Sequence, residues 1–173
     1  MRSSNTCIAT AVLAVLVHVP VRAEASRCEF DSSIVNAATG AEHRSVSLPL
    51  SRDWTLGFVQ QGEQRWIDLT LGSFGGNGAS LEEGQRLVTR YQDGTIMELF
   101  STNVAVPKVN GSYKEYTFRF DAPPEALVVL SNLPLEGYQM ELFSELMSGS
   151  TTKSVQKSIE HLASCILEPK FRD

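Results

Sequence analysis

The chain has 173 residues, of which 42% are hydrophobic and 20% charged, and its formal charge is −5. That apolar share suffices for a real core. An acidic balance with only scattered basic residues, such as Lys153 and Lys157, argues against nucleic acid and anionic membrane as partners.

The N-terminus carries one charge at Arg2, an apolar run from Ile8 to Val19, a turn at Pro20 and the small-residue motif Ala23-Glu24-Ala25. This order is that of a cleavable export signal. The run is about a dozen residues, short of the roughly 20 that span a bilayer as a helix, so stable membrane insertion is not expected. Cleavage falls after Ala25, or two positions earlier after Ala23. The exported part, 26–173, then forms a single domain. Losing Arg2, Arg22 and Glu24 leaves it 13 basic and 19 acidic residues, a charge of −6. The expected location is the periplasm or the medium beyond it.

Cys7 leaves with the signal. Cys28 and Cys165 remain, at opposite ends of the domain and in a compartment where disulfides persist. Their only intramolecular pairing is with each other, and a loop that long contributes about 4 kcal/mol or more on the chain-entropy model. The sequence has no Cys-x-x-Cys redox motif, so the bridge reads as a staple.

From Phe30 to Leu146 short extended runs alternate with turn residues, which predicts a mainly β, antiparallel sandwich or barrel of about eight strands. The runs are Glu29–Val35, Arg44–Pro49, Trp54–Gln60, Arg65–Leu71, Arg86–Tyr91, Thr95–Ser101, Tyr113–Phe120 and Gly137–Phe143. Thr39-Gly40, Gln61-Gly62 and Asp93-Gly94 supply residues that tolerate positive φ between them. Tyr116, Phe118 and Phe120 share one face while Thr117 and Arg119 share the other. Likewise Ile67, Leu69 and Leu71 make a core face, which gathers Trp66, Asp68 and Thr70 on the opposite one.

Two segments break this pattern. Asp121 to Glu125, with a capping aspartate and early prolines, predicts a short helix through Asn132, although Leu127 to Leu130 also suits a strand. Near the C-terminus, Ser150 to Thr152 caps a helix whose apolar positions are Val155, Ile159, Leu162 and Ile166, with Pro169 just beyond. That helix packs on the sheet, and Cys165, on the flank of its stripe, reaches Cys28.

Few residues suggest chemistry. His43 falls in the turn after Thr39, and His161 on the polar side of the last helix precedes Cys165 by four. A zinc site there competes with the disulfide for Cys165, so no metal is expected. The run Gly72 to Gly78 lacks the Lys-Ser/Thr pair of a phosphate loop. It reads as a glycine-rich crossing whose exposed amides at Gly75, Gly76, Asn77 and Gly78 are available to a ligand or partner. Ser150 and Lys153 match Ser-x-x-Lys without companion motifs, and no Gly-x-Ser-x-Gly elbow exists. Glu82 with Glu83, or Asp68 with Asp93, are the carboxylate pairs available to glycosidase chemistry. Trp66 beside Asp68 and Thr70 offers stacking and hydrogen bonding to a sugar. Asn110-Gly111-Ser112 fits a glycosylation acceptor in a eukaryotic setting.

The closing stretch Gly149-Ser150-Thr151-Thr152 through Leu162-Ala163-Ser164-Cys165, with the Asp93-Gly94 hairpin, resembles the ending of small exported proteins of Gram-negative bacteria. It is distantly similar to the invasion-associated periplasmic β-sandwich proteins, although it has a single cysteine pair where they often have more. The resemblance carries over no functional residue. The sequence thus favours a non-catalytic binding or interaction module of the bacterial envelope without cofactor: an inhibitor, immunity-type or accessory protein. The alternative is a small hydrolase acting on envelope polysaccharide or peptidoglycan.

Overall fold

Period-two alternation builds two antiparallel sheets, and each turns its apolar side toward the other. The structure, a computed structural model, describes residues 28–35, 40–74 and 78–167. The expected export signal therefore lies outside the described residues.

The larger sheet contains β1 (Ser32–Val35), β2 (Glu42–Pro49), β3 (Trp54–Gln61), β4 (Gln64–Phe74), β7 (Lys108–Asn110) and β8 (Tyr113–Asp121), in the order β1-β2-β3-β4-β8-β7. The smaller holds β5 (Arg86–Tyr91), β6 (Ile96–Phe100), β9 (Leu135–Leu142) and β10 (Glu145–Ser150), in the order β10-β9-β5-β6. A bridge from Ser101 to Phe120 brings the end of β6 to β8, so the sheets curl into a half-barrel sandwich. The predicted mainly β class with a C-terminal helix on the sheet is what forms.

The core is filled by the inward rows Trp54–Leu56–Phe58, Ile67–Leu69–Leu71 and Tyr116–Phe118–Phe120 of the larger sheet, facing Leu87, Tyr138, Met140 and Leu142 of the smaller. Trp54 and Tyr138 join the two layers, with ring centroids 4.9 Å apart.

Helix α1 (Pro124–Asn132) buries Ala126, Leu127 and Leu130 and packs against α2 (Lys153–Leu167). The helix thus prevails over the strand reading. Its N-cap is Pro123 without a side-chain cap, and Asp121, expected to cap it, ends β8 instead. Thr152 caps α2, its Oγ1 accepting from the N–H of Val155 at 3.4 Å. The buried side of α2 is Gln156, Ile159, Ala163, Cys165 and Ile166, whereas Val155 and Leu162, expected in the stripe, are half-buried. Gln156 is buried because Gln92 donates to its Oε1 and it donates to Thr151, both at 3.3 Å. At the far end Arg65 Nε donates to the Ile166 carbonyl at 3.0 Å, where a cation offsets the negative end of the helix. Among the described residues no helix is long and apolar enough to cross a membrane.

Several expectations need correction. Ten strands form among the described residues, because β7 and β10 escaped the sequence pattern. The first strand begins at Ser32 rather than Glu29, and β6 spans Ile96–Phe100 rather than Thr95–Ser101. His43 lies in β2, opposite Ile34 and Gln61, not in a turn. Gly72 to Phe74 belong to β4 and pair with Glu115 to Tyr113, so the glycine crossing starts later than the run suggests. Cys28 and Cys165 form a disulfide across 137 positions, with Cα atoms 5.7 Å apart.

Candidate functional site

The outward face of the larger sheet gathers the polar residues that alternation excludes from the core. Cross-strand register stacks them in rows: Ser47, Gly57, Asp68 and Arg119 in one, Thr55, Thr70 and Thr117 in the next, and Ser45, Val59, Trp66 and Asp121 in a third. The predicted Trp66, Asp68 and Thr70 therefore do share a face, and the neighbouring strands complete it.

Gly57 sits at the centre. The atoms nearest to a Cβ built there are Asp68 Cβ and the carbonyls of Asp68 and Val46, at 3.5 to 3.7 Å, which is ordinary contact. Without a side chain, Gly57 floors a shallow groove of about 200 Å³ lined by Asp31, Ser47, Thr55, Asp68, Thr70 and Thr117. Asp31 closes one wall: its carboxylate accepts from the Ser47 N–H at 2.7 Å and from the Ser47 hydroxyl at 2.8 Å. The Thr70 and Thr117 hydroxyls meet at 3.0 Å on the opposite wall.

Asp68 is held by a bidentate pair, Arg119 Nε to Oδ1 at 2.8 Å and Nη2 to Oδ2 at 2.7 Å. This fork geometry is the strong form of a charged hydrogen bond. It raises the Arg119 pKa further above its ordinary value, against the opposing effect of burial. The same guanidinium lies 5.1 Å over the Trp66 ring, fixing the indole by a cation–π contact. Asn103 fixes Arg119 from outside the sheet: its Oδ1 accepts from the Arg119 N–H at 2.7 Å and its Nδ2 donates to the Thr117 carbonyl at 3.0 Å. On its other side Trp66 borders a broad open cleft of about 440 Å³ with Arg65, Asp121, Pro123 and Pro124. Half-buried Trp66 thus borders this cleft, while its row neighbour Val59 and its strand neighbour Asp68 line the groove.

A third depression, about 390 Å³, lies on the smaller sheet over Gly137, bordered by Val88, Arg90, Ile96, Gln139 and Ser148. Its one charged side chain, Arg90, pairs with Glu136 at 2.9 Å. It has fewer converging polar groups than the Gly57 groove.

The other sequence candidates do not assemble. Gly75, Gly76 and Asn77 lie outside the described residues, while Gly78 has a φ of 71° beside the Lys114 side chain. Asp68 and Asp93 sit on different sheets, Asp93 in the β5–β6 turn. The Thr95 N–H and hydroxyl hold Asp93 below the usual carboxylate range, and Arg86 does the same to Glu98. A general acid needs the opposite shift. Glu82 and Glu83 are exposed between β4 and β5, and Ser150 ends β10 two residues before α2 begins. Asn110 is exposed at the end of β7.

His161 is half-buried rather than facing solvent, with its Nε2 3.7 Å from Cys165 Sγ. One ligand atom each from Cys28, His161 and Cys165 falls within 4.8 Å of the others.

Asp31, Gly57 and Asn103 carry no sequence signal of their own and become site residues only through strand register. Arg119 was legible as an outward residue but not as the partner of Asp68. Comparison with known protein families, with curated proteins and with solved structures finds no match in any of the three.

Proposed function

We propose that the protein is an exported, non-catalytic binding module of the bacterial envelope, and that it engages its partner through the outward face of the larger sheet. The observation that carries this reading is the state of Asp68. Its carboxylate is bound at both oxygens by Arg119, whose guanidinium also lies over Trp66. A carboxylate so occupied is a structural clamp, unlike a base poised to take a proton. Arg119 thereby ties Trp66 and Asp68 together beside a hydroxyl-lined groove, which supports a preorganised surface. Rigid aromatic anchors with adaptable hydroxyls around them are what protein-recognition surfaces favour.

The hydrolase alternative calls for two facing carboxyls, one of them with a raised pKa. Asp68 in its clamp, and Asp93 and Glu98 with lowered pKa values, do not support it.

Gly57→Val tests the proposal. A Cβ at Gly57 meets only ordinary contact distances, β-branched valine suits a strand, and its methyl groups should occupy the groove that Gly57 lines. Immobilised residues 26–173 should capture a partner protein from envelope extracts, and the Gly57→Val form should lose it while keeping its melting temperature. Equal capture by both forms would place the contact elsewhere. Repeated capture of nothing by the wild type would count against the binding reading itself.

A further inference from the structure

We propose that Cys28, Cys165 and His161 form a zinc site when their disulfide is reduced, so that the same two cysteines serve alternately as covalent staple and as metal ligands. Three observations carry this. The three ligand atoms already cluster within 4.8 Å. His161 and Cys165 are four residues apart on α2, one turn of a rigid element, so two of the three donors are preorganised. The Nε2 to Sγ distance is 3.7 Å. Tetrahedral zinc with bonds of about 2.3 Å to sulfur and about 2.05 Å to nitrogen sets its nitrogen and sulfur roughly 3.6 Å apart. The helix therefore holds two ligands at the spacing that the ion requires.

Cys28 lies ahead of β1, outside any strand or helix, so its sulfur can move to the roughly 3.8 Å that separates two thiolates on one zinc. Two thiolates and an imidazole form a soft donor set, which selects zinc over calcium or magnesium. Two thiolates also neutralise the dication, which suits a site where Cys165 is only 4% exposed. Among the described residues the group stops at three ligands, which leaves the fourth position to water or an incoming ligand.

The chemistry balances with a dithiol as reductant. The dithiol passes two electrons and two protons to the Cys28–Cys165 bond and becomes a disulfide itself. Zinc then binds both sulfurs as thiolates, and two protons leave to solvent. Disulfide and zinc exclude each other because both use the same sulfur electrons. Either one closes the same loop of 137 positions, so the ion keeps the chain clipped where the covalent bond is lost.

The experiment uses the chain after reduction by a phosphine and removal of the reductant, titrated with Zn2+ by calorimetry and with Co2+ by absorption. One ion per chain should bind, cobalt should show thiolate charge-transfer bands, and zinc should raise the melting temperature of the reduced protein. His161→Ala should bind zinc about tenfold or more weaker. Its oxidised form should melt like the oxidised wild type, which shows that the substitution leaves the fold intact. Four outcomes would overturn the proposal: no binding to reduced protein, no rise in its melting temperature with zinc, unchanged affinity in His161→Ala, or equal uptake by the oxidised chain.

Discussion

Tyr138 lies directly across the β9–β10 pair from Gly149, and its ring occupies the space that a side chain at Gly149 would fill. The ring cannot retreat easily, because Tyr138 is only 4% exposed and rests on Trp54. Gly149→Ala should therefore destabilise the protein by roughly 1–3 kcal/mol, the range for overpacking a filled core. Urea unfolding of the two forms measures it. An unchanged midpoint would mean that the ring moves at no cost.

The hairpin joining β9 to β10 turns on Phe143 and Ser144, with φ of 52° and 66°. Both lie in the left-handed region that side chains other than glycine and asparagine enter at a cost. Ser144→Gly should stabilise the protein by about 0.5–1 kcal/mol, less whatever entropy glycine adds to the unfolded chain. Thermal unfolding should show a higher midpoint, and a lower one would reveal a contact of the Ser144 hydroxyl worth more than the relief.

Burial pushes the Tyr91 phenol up to about 12, with the Thr89 hydroxyl 3.4 Å away pulling the other way. Below pH 10 the phenol is protonated in both folded and unfolded chains, and its contribution is intact. Above that the unfolded chain ionises first, so stability falls with rising pH until the folded pKa is passed. At 1.36 kcal/mol per pKa unit the loss between pH 10 and 12 is roughly 2–3 kcal/mol. Tyr91→Phe should remove that part of the alkaline slope; parallel curves for the two proteins would show that other groups produce it.

Cys165→Ser should lower stability by roughly 2–5 kcal/mol under oxidising conditions. Chemical unfolding of the oxidised proteins reads this directly, and coincident curves would show that the bridge adds nothing to the fold.

Where alternation and turn chemistry agreed, the fold was legible in the sequence. Asp93-Gly94 marks its hairpin because Gly94 takes a φ of 88° and the Asp93 carboxylate accepts from the Thr95 N–H. β10 was missed because its turn is Phe143-Ser144, a pair that no turn preference selects. β7 was missed because it is three residues long, although Asn110-Gly111 does make its turn, Gly111 having a φ of 63°. His43 looked like a loop residue because the turn before it is polar, yet pairing with Ile34 and Gln61 extends β2 through it. Half of the candidate face was legible for the same reason that the core was: Trp66, Asp68 and Thr70 follow from one strand's period. Which residue on the next strand opposes Asp68 is a matter of register, and register between strands some fifty residues apart has no local signature.

The Cys28–Cys165 bond joins the chain just ahead of β1 to the last turn of α2, so all ten described strands and α1 lie inside one closed ring. A pull on the two ends of the oxidised molecule is borne by that bond, and the sheets carry no tension. Pulled apart at Cys28 and Cys165, the oxidised protein should not lengthen between those residues, and only after reduction does the load pass to the sheets.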